Sequence, residues 1–484
     1  MIDPHFRSAK QLASDIRRRK LGCLEVLDLY LARMERLNGK LNAIVVTDVD
    51  GARRRARQAD AALRRGKPWG PFHGVPMTIK ESYDVAGMPT TWGLPALKDN
   101  VAPRNALAVD RLLAAGVVLF GKTNVPAWLA DYQSYNDVYG TTNNPWDLAR
   151  SPGGSSGGSA VALAAGLTGL EAGSDIGSSI RNPAHYCGVF GHKPTFGIVP
   201  PRGQALPGRV AQGDISVIGP MARSAEDLAI ALSVMAGPDE IDGAGLRLAL
   251  PAPRRKALRE FKVAVMLDDP AAEVDREVQA RLQALADFLG KRKVKVSFTA
   301  RPAFDTAEAH RTYIFLLRAA TAGRQTAEEF SRNAEITRGL APDDQRYYAW
   351  TMRANTASHR DWLAANETRH KMRWRWAEFF REWDLLLCPV ASSAAFPHDH
   401  AGERHERMIT VNGKRVPCVD QLFWAGYGGM AYLPATVAPA GLTPAGLPVG
   451  VQIIGPQYGD RTCIEFARLL EREFQPFVPP PDYR

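Results

Sequence analysis

The run SPGGSSGGS at 151–159, followed at once by the Ala-rich helical stretch 160–167, restricts this chain more than any other segment. Glycine loses more conformational freedom on ordering than any other residue. Such a run therefore belongs where backbone approaches another group closely, or takes conformations closed to other residues. A flexible linker has a similar composition, but linkers join domains, and this loop is wedged between core elements. The chain must fold into a core that closes around the loop. Its length permits this: 484 residues, 45% hydrophobic and 23% charged, suit a large globular fold and exclude collagen, coiled coil and disorder.

Apolar residues at helical spacing through 9–37 predict two opening helices before a strand at 43–47, with a charged helix at 52–65 after it. The Pro- and Gly-punctuated stretch 68–93 holds a short apolar strand at 75–79, so Lys80 sits where a strand meets a loop. A helix at 105–115 and a buried strand at 117–121 set up the alternation of an α/β protein, which continues to about 236. After a Pro/Gly-rich connection (237–253) come a strand (262–266), a helix (275–289), a strand (294–298), an Arg- and Trp-rich helical region (304–383) and a strand (385–389). The expected fold class is one α/β domain with a central, mixed, many-stranded sheet covered by helices on both faces. Within it, 1–65 is a helical N-terminal region, 66–240 a core carrying the chemistry, and 241–484 a peripheral region completing the sheet and the substrate pocket. The segment 304–383 is read as a lid or a homodimer surface.

The formal charge of +10 raises the question of a nucleic-acid or acidic-membrane partner. Basic residues fall mainly in short helical clusters, such as Arg53 to Arg55 and Arg64-Arg65, without the interleaved aromatics that stack on bases, so they read as solvated helix faces and no nucleic-acid partner is expected. Five cysteines at irregular spacing, with no C-x-x-C pair, fit free thiols in a reducing cytoplasm. The first residues lack the apolar stretch and small-residue cleavage site of a secretion signal. Two charge-free stretches, 151–170 and 421–459, are too broken by Gly, Ser or Pro to face lipid and read as buried elements, with no membrane partner. His398, His400 and His405 form a His-rich tract without a metal-ligand pattern, so neither metal nor cofactor is expected.

Three chemistries compete for the Gly/Ser loop. Gly153, Ser155 and Gly157 match G-x-S-x-G, which would make Ser155 the nucleophile of an elbow, but the pattern needs an acid and then a histidine downstream, and the loop histidines single out no candidate. Gly116, Gly121, Lys122 and Thr123 satisfy G-x-x-x-x-G-K-[ST]. The four residues between the glycines, however, look like a strand rather than a phosphate-cradling loop. The third reading uses a second Ser-rich turn, GSDIGSSIRNP at 173–183, with Ser179 between Gly177 and Arg181. Two small-residue loops bracketing one helix can bring two hydroxyls together, and Lys80 is the basic group placed to join them if burial makes it neutral.

The combination of Lys80 in GVPMTIKES (74–82), SPGGSSGGSA (151–160) and GSDIGSSIRNPAHYCGVFGHKPTFGIVP (173–200) resembles the amidase signature family. VVLFGKTNVPAW, VYGTTNNPW, WDLLLCPV and PAGLTPAGLPVGVQIIGP agree with it in order, so the resemblance runs from about Leu24 to the C-terminus. It implies that Ser179 is the nucleophile, Ser155 a bridging serine on a cis peptide bond, and Lys80 the base. It implies an oxyanion hole of backbone N–H groups from Ile176, Gly177, Ser178 and Ser179. The implied activity is hydrolysis of a carboxylic amide to acid and ammonia or amine through an acyl-serine, with esters or hydrazides open to the same chemistry. A glutamyl-tRNA amidotransferase-like component that delivers ammonia is the alternative. The family run D-I-G-G-S is D-I-G-S-S here, which puts the room beside the acyl group in doubt. Against the amidotransferase branch stands Ile176, where that branch usually carries Thr.

Asp175 and Arg181 are read as shaping the nucleophile turn, and His73, His185 and His192 as packing or hydrogen-bonding histidines. By resemblance, 128–133 should line the channel, with Leu129 and Asp131 as substrate-binding candidates. FWAGYGGMAY at 423–432, aromatic and free of charge, is the expected second wall. A small-molecule amide with a hydrophobic or aromatic group is the expected partner.

Overall fold

The computed structural model describes residues 3–484. Its frame is two mixed sheets. The smaller has three strands, β1 (Ile44–Thr47), β2 (Pro76–Lys80) and β3 (Val118–Thr123), in the order β1-β3-β2. Strands β1 and β3 run antiparallel, and β2 and β3 parallel. The larger has eight: β4 (Glu171–Asp175), β5 (Phe190–Lys193), β6 (Val217–Ala222), β7 (Lys262–Val265), β8 (Lys295–Ser297), β9 (Leu385–Pro389), β10 (Ala435–Leu442) and β11 (Pro448–Ile454). Their order is β8-β7-β9-β11-β10-β5-β6-β4, parallel only in β8-β7-β9. The fold class is therefore the mixed α/β arrangement read from the sequence.

The two sheets meet edge to edge at β2 and β4. Thr78 N–H donates to Thr168 Oγ1 (2.9 Å), Gly169 N–H donates to Pro76 C=O (3.0 Å), and Met77 bridges Leu170. Every residue of β2 and β4 is buried, which explains their lack of apolar–polar alternation. Against this seam lies α1 (Gly157–Ala164), whose small side chains are buried all round and let backbone approach on every side. A short α2 (Arg181–Cys187) follows the turn after β4.

The region 304–383 forms α3 (Thr306–Ala322), α4 (Ala327–Gly339), α5 (Tyr347–Asn355) and α6 (His359–Glu382), and the charge-free stretch 421–459 holds α7 (Leu422–Gly429) with the central strands β10 and β11. Among the described residues no helix is long and apolar enough to cross a membrane. The basic cluster at 53–55 is only partly solvated: Arg55 donates to Val117 C=O (2.7 Å) and Leu113 C=O (2.6 Å) and lies over the Trp69 ring.

Candidate active site

Lys80 ends β2 with no exposed surface. Its Nζ donates to Ser155 Oγ (2.7 Å), Ser156 Oγ (2.9 Å) and Ser174 Oγ (3.0 Å). Burial lowers its pKa to about 7, against the charges of Asp175 and Glu171, which work the other way. A neutral amine keeps two N–H donors and gains a lone pair. In that state one of the three hydroxyls must donate to Nζ instead of accepting from it.

The Gly/Ser loop presents Ser155 through a cis Gly154-Ser155 peptide bond. Ser151 Oγ donates to Tyr132 C=O (2.8 Å), Gly154 N–H to Asn182 Oδ1 (3.2 Å), and Ser156 N–H to Ser179 C=O (3.1 Å). A Cβ on Gly154 would lie 2.2 Å from the Asp131 carbonyl oxygen, and one on Gly158 2.4 Å from the Asn124 nitrogen. The glycines are there because backbone meets backbone, and the last hydrogen bond ties this loop to the Ser179 turn.

Asp175 ends β4 and organises that turn. Its carboxylate accepts from the N–H of Ser178 (2.9 Å), Ile180 (3.1 Å) and Arg181 (3.3 Å), and from Arg181 Nε (3.0 Å) and Nη2 (2.8 Å). Burial pushes its pKa up, but Arg181 outweighs burial and holds it at about 2. The ion pair is thus a structural clamp, as read from the sequence.

The Ser178 bond corrects one expectation. With its N–H committed to Asp175, Ser178 is not a free donor for an oxyanion. Among the described residues, the N–H groups of Ile176, Gly177 and Ser179 have no protein acceptor. Ser178 also sits at φ +75°, and its buried Oγ has no partner among the described residues.

Ser155, Ser174, Ile176, Gly177 and Ser179 line one cavity of about 490 Å³. Leu129 and Asp131 line it too, and the Asp131 carboxylate is paired with Arg407 at 2.5 Å. The wall expected at 423–432 is not there. Phe423, Trp424 and Tyr427 belong to the main core, where Tyr427 packs on Phe304 and Trp376, and only the neighbouring Leu422 of α7 reaches the cavity. An apolar, uncharged helix satisfies a protein core as well as a pocket, so composition does not separate the two. The wall comes instead from α3 to α5, with Leu317, Arg318, Thr321 and Arg324, and from Arg404. Sequence reasoning missed these residues; the only signal was the arginine richness of 304–383.

His73, His185, His192 and His400 have structural partners. His185 Nδ1 accepts from Gly450 N–H (2.7 Å) while its Nε2 faces Ser393 C=O (3.0 Å), and His192 lies between Thr436 and Asp460. Trp69 N–H donates to His73 Nδ1 (3.0 Å), and the His400 ring stacks on Tyr135.

A buried lysine thus meets three serine hydroxyls beside the seam of the two mixed sheets, next to the cavity that Ser155 and Ser174 line. The chain belongs to the amidase family, whose model it matches over residues 25–464. It is 34% identical over 476 residues to an acylamidase of Rhodococcus erythropolis, covering 96% of this chain and 95% of that one. It is 32% identical over 495 residues to a component of the glutamyl-tRNA(Gln) amidotransferase of Anaeromyxobacter sp. (strain K), covering 98% and 97%. The crystal structure of a bacterial aryl acylamidase of the amidase signature family matches its fold with a TM-score of 0.82 at 25% identity, over 97% of each chain.

Proposed function

We propose that this protein is an amidase that hydrolyses a carboxylic amide bearing an apolar acyl or aryl group, through an acyl intermediate on Ser179. The observation that carries the reading is the 2.7 Å bond between the buried Lys80 amine and Ser155 Oγ, beside a cavity that Ser179 also lines. Neutral Lys80 takes a proton from Ser155, whose hydroxyl takes one from Ser179 as its Oγ attacks the amide carbonyl carbon. The oxyanion is received by the free N–H groups of Ile176, Gly177 and Ser179. The relay then runs backwards, delivering a proton to the departing nitrogen as the C–N bond breaks. Water repeats the cycle on the acyl-enzyme, releasing the acid. Trp92, Leu129, Leu317 and Leu422 support an apolar group beside the reacting carbonyl. Five buried, unbridged cysteines support a cytoplasmic setting.

A second reading, an ammonia-delivering component of an amidotransferase, is favoured by the near full-length match to the Anaeromyxobacter protein. One experiment separates them. The isolated chain is treated with a fluorophosphonate and mapped by mass, then offered simple amides without ATP. An adduct on Ser179, lost in Ser179→Ala with the fold intact, and ammonia released by the chain alone support the hydrolase. An adduct on Ser155 would reassign the nucleophile, and turnover only with partner proteins and ATP would favour the transferase.

A further inference from the structure

The far wall of the cavity is strongly cationic, with more arginines than carboxylates. Arg318, Arg324 and Arg404 line it, half-buried, with the exposed Arg209 and Arg332 farther out. Of the two acids on the lining, Asp131 is paired with Arg407 and its charge also acts on Arg404, and Glu329 accepts from Thr326 N–H (2.8 Å) to cap its own helix. Among the described residues, no carboxylate lies within 4.0 Å of Arg318, Arg324 or Arg404. Their protein partners are neutral: Arg318 donates to the Tyr347 hydroxyl, Arg404 to Ala130 C=O, and Arg324 to Trp128 C=O (2.8 Å). Arg318 Nε is buried with no acceptor. A guanidinium carries five N–H donors in a planar fork, so most of this donor capacity is unspent.

The field of the cluster registers on its neighbour. Burial raises the pKa of the Tyr347 hydroxyl, yet the charges of Arg318 and Arg404 overcome burial and hold it below its ordinary value. Half-buried positive charge facing a cavity attracts anions, and the arginine fork matches the two oxygens of a carboxylate.

The cluster also has a distance from the chemistry. Tyr313 Oη on α3 donates to Ile176 C=O in the nucleophile turn (3.1 Å), and Arg318 lies five residues farther along the same helix, about 7.5 Å along its axis. Leu317, Val419 and Leu422 make the surface around that span apolar. We infer that the cavity takes amides whose far end carries a carboxylate, with the amide at Ser179, an apolar stem, and the carboxylate received by Arg318 and Arg404. This rests on Ser179 being the nucleophile.

The test is the rate at which a fluorophosphonate modifies Ser179 in the full chain, in the presence of matched protectants: succinamate against butanamide, adipamate against hexanamide, suberamate against octanamide. At low salt, one of the carboxylates should protect at a concentration at least about tenfold below that of its neutral partner, and added salt should shrink the gap by screening. The preference should fall to about threefold or less in Arg318→Met and Arg404→Met, and recover in part in Arg318→Lys, which restores charge without the fork. Loop-fixing alone would not move this ratio. Equal protection within all three pairs, or a preference that survives both methionine variants, overturns the inference. Absence of any Ser179 adduct removes the nucleophile reading itself, and the inference with it.

Discussion

Titration of activity puts the buried lysine under the most direct test. Burial places the Lys80 pKa at about 7, against 10.5 for an ordinary lysine. The gap corresponds to roughly 5 kcal/mol set against the ammonium form, at about 1.4 kcal/mol per tenfold change. Only the neutral amine can accept the Ser155 proton. About a tenth of the molecules hold it at pH 6, about half at pH 7 and about nine-tenths at pH 8. The expected kcat/KM on a simple amide, followed by ammonia release, therefore rises about tenfold between pH 6 and pH 8 and then levels. Asp175, at about 2, and His185, at about 4, do not titrate in that window. Glu171 does, because burial raises its carboxyl to about 8; Glu171→Gln should therefore keep the rise but move its centre somewhat lower in pH, since the Glu171 charge favours the ammonium form of Lys80. Lys80→Arg puts a permanent cation beside Ser155 and should lose about 10²- to 10⁴-fold in rate, together with the rise. A limb centred above pH 9, or a native limb in Lys80→Arg, would refute the argument.

The same burial has a sign in stability. Between pH 7 and 10.5 the unfolded chain holds the Lys80 proton that the folded chain has released, so this residue's contribution to stability rises with pH across that window. The urea midpoint of the wild type should climb relative to that of Lys80→Met over the same range. Two further outcomes concern the nucleophile turn. Ser178→Gly should stabilise the protein by about 1 kcal/mol, since it relieves a left-handed residue at φ +75° and removes a buried hydroxyl that bonds nothing among the described residues; a lower denaturation midpoint would count against this. Arg181→Met should cost about 3–5 kcal/mol by leaving the buried Asp175 carboxylate without its cation. Asp175 contributes stability above pH 3.8 that is lost as pH falls through about 2, so the acid-denaturation midpoint should move up in Arg181→Met; an unmoved midpoint would deny the clamp.

What is legible before folding is whatever local sequence encodes. An apolar run that stops at Lys80 puts the lysine at a strand end, and β2 ends there. The phosphate-loop match at Gly116 to Thr123 fails because its middle has the look of a strand, and Val118–Thr123 is one. The Gly/Ser loop reads as a site of close approach, which the Gly154 and Gly158 contacts explain. What the sequence hides depends on which neighbour a residue meets. The Ser178 N–H points at a carboxylate three residues back, a choice made by the curl of the turn. The aromatics of α7 could face either a core or a pocket. Arginines on helices read as solvated, and nothing in their spacing says that the helices close over a cavity.

The base is assembled across a seam, and that separates reactivity from selectivity. Lys80 comes from the small sheet and Ser174 from the large one, with Ser155 and Ser156 on the loop between β3 and β4. Each element of that seam is fully buried and closely hydrogen-bonded, so few substitutions leave the lysine both desolvated and in reach of its hydroxyls. The helices α3 to α5 line the cavity and carry no reacting group; their one bond to the nucleophile turn described above is from Tyr313 Oη to Ile176 C=O, so most of their lining positions lie outside the relay. Two relatives of nearly equal identity, 32% and 34%, bear different names, the first that of an amidotransferase component, the second that of an acylamidase. Identity over the whole chain therefore does not discriminate among activities built on this fold. In this chain the helical wall of the cavity presents Leu317, with Arg318 and Arg324 beyond it.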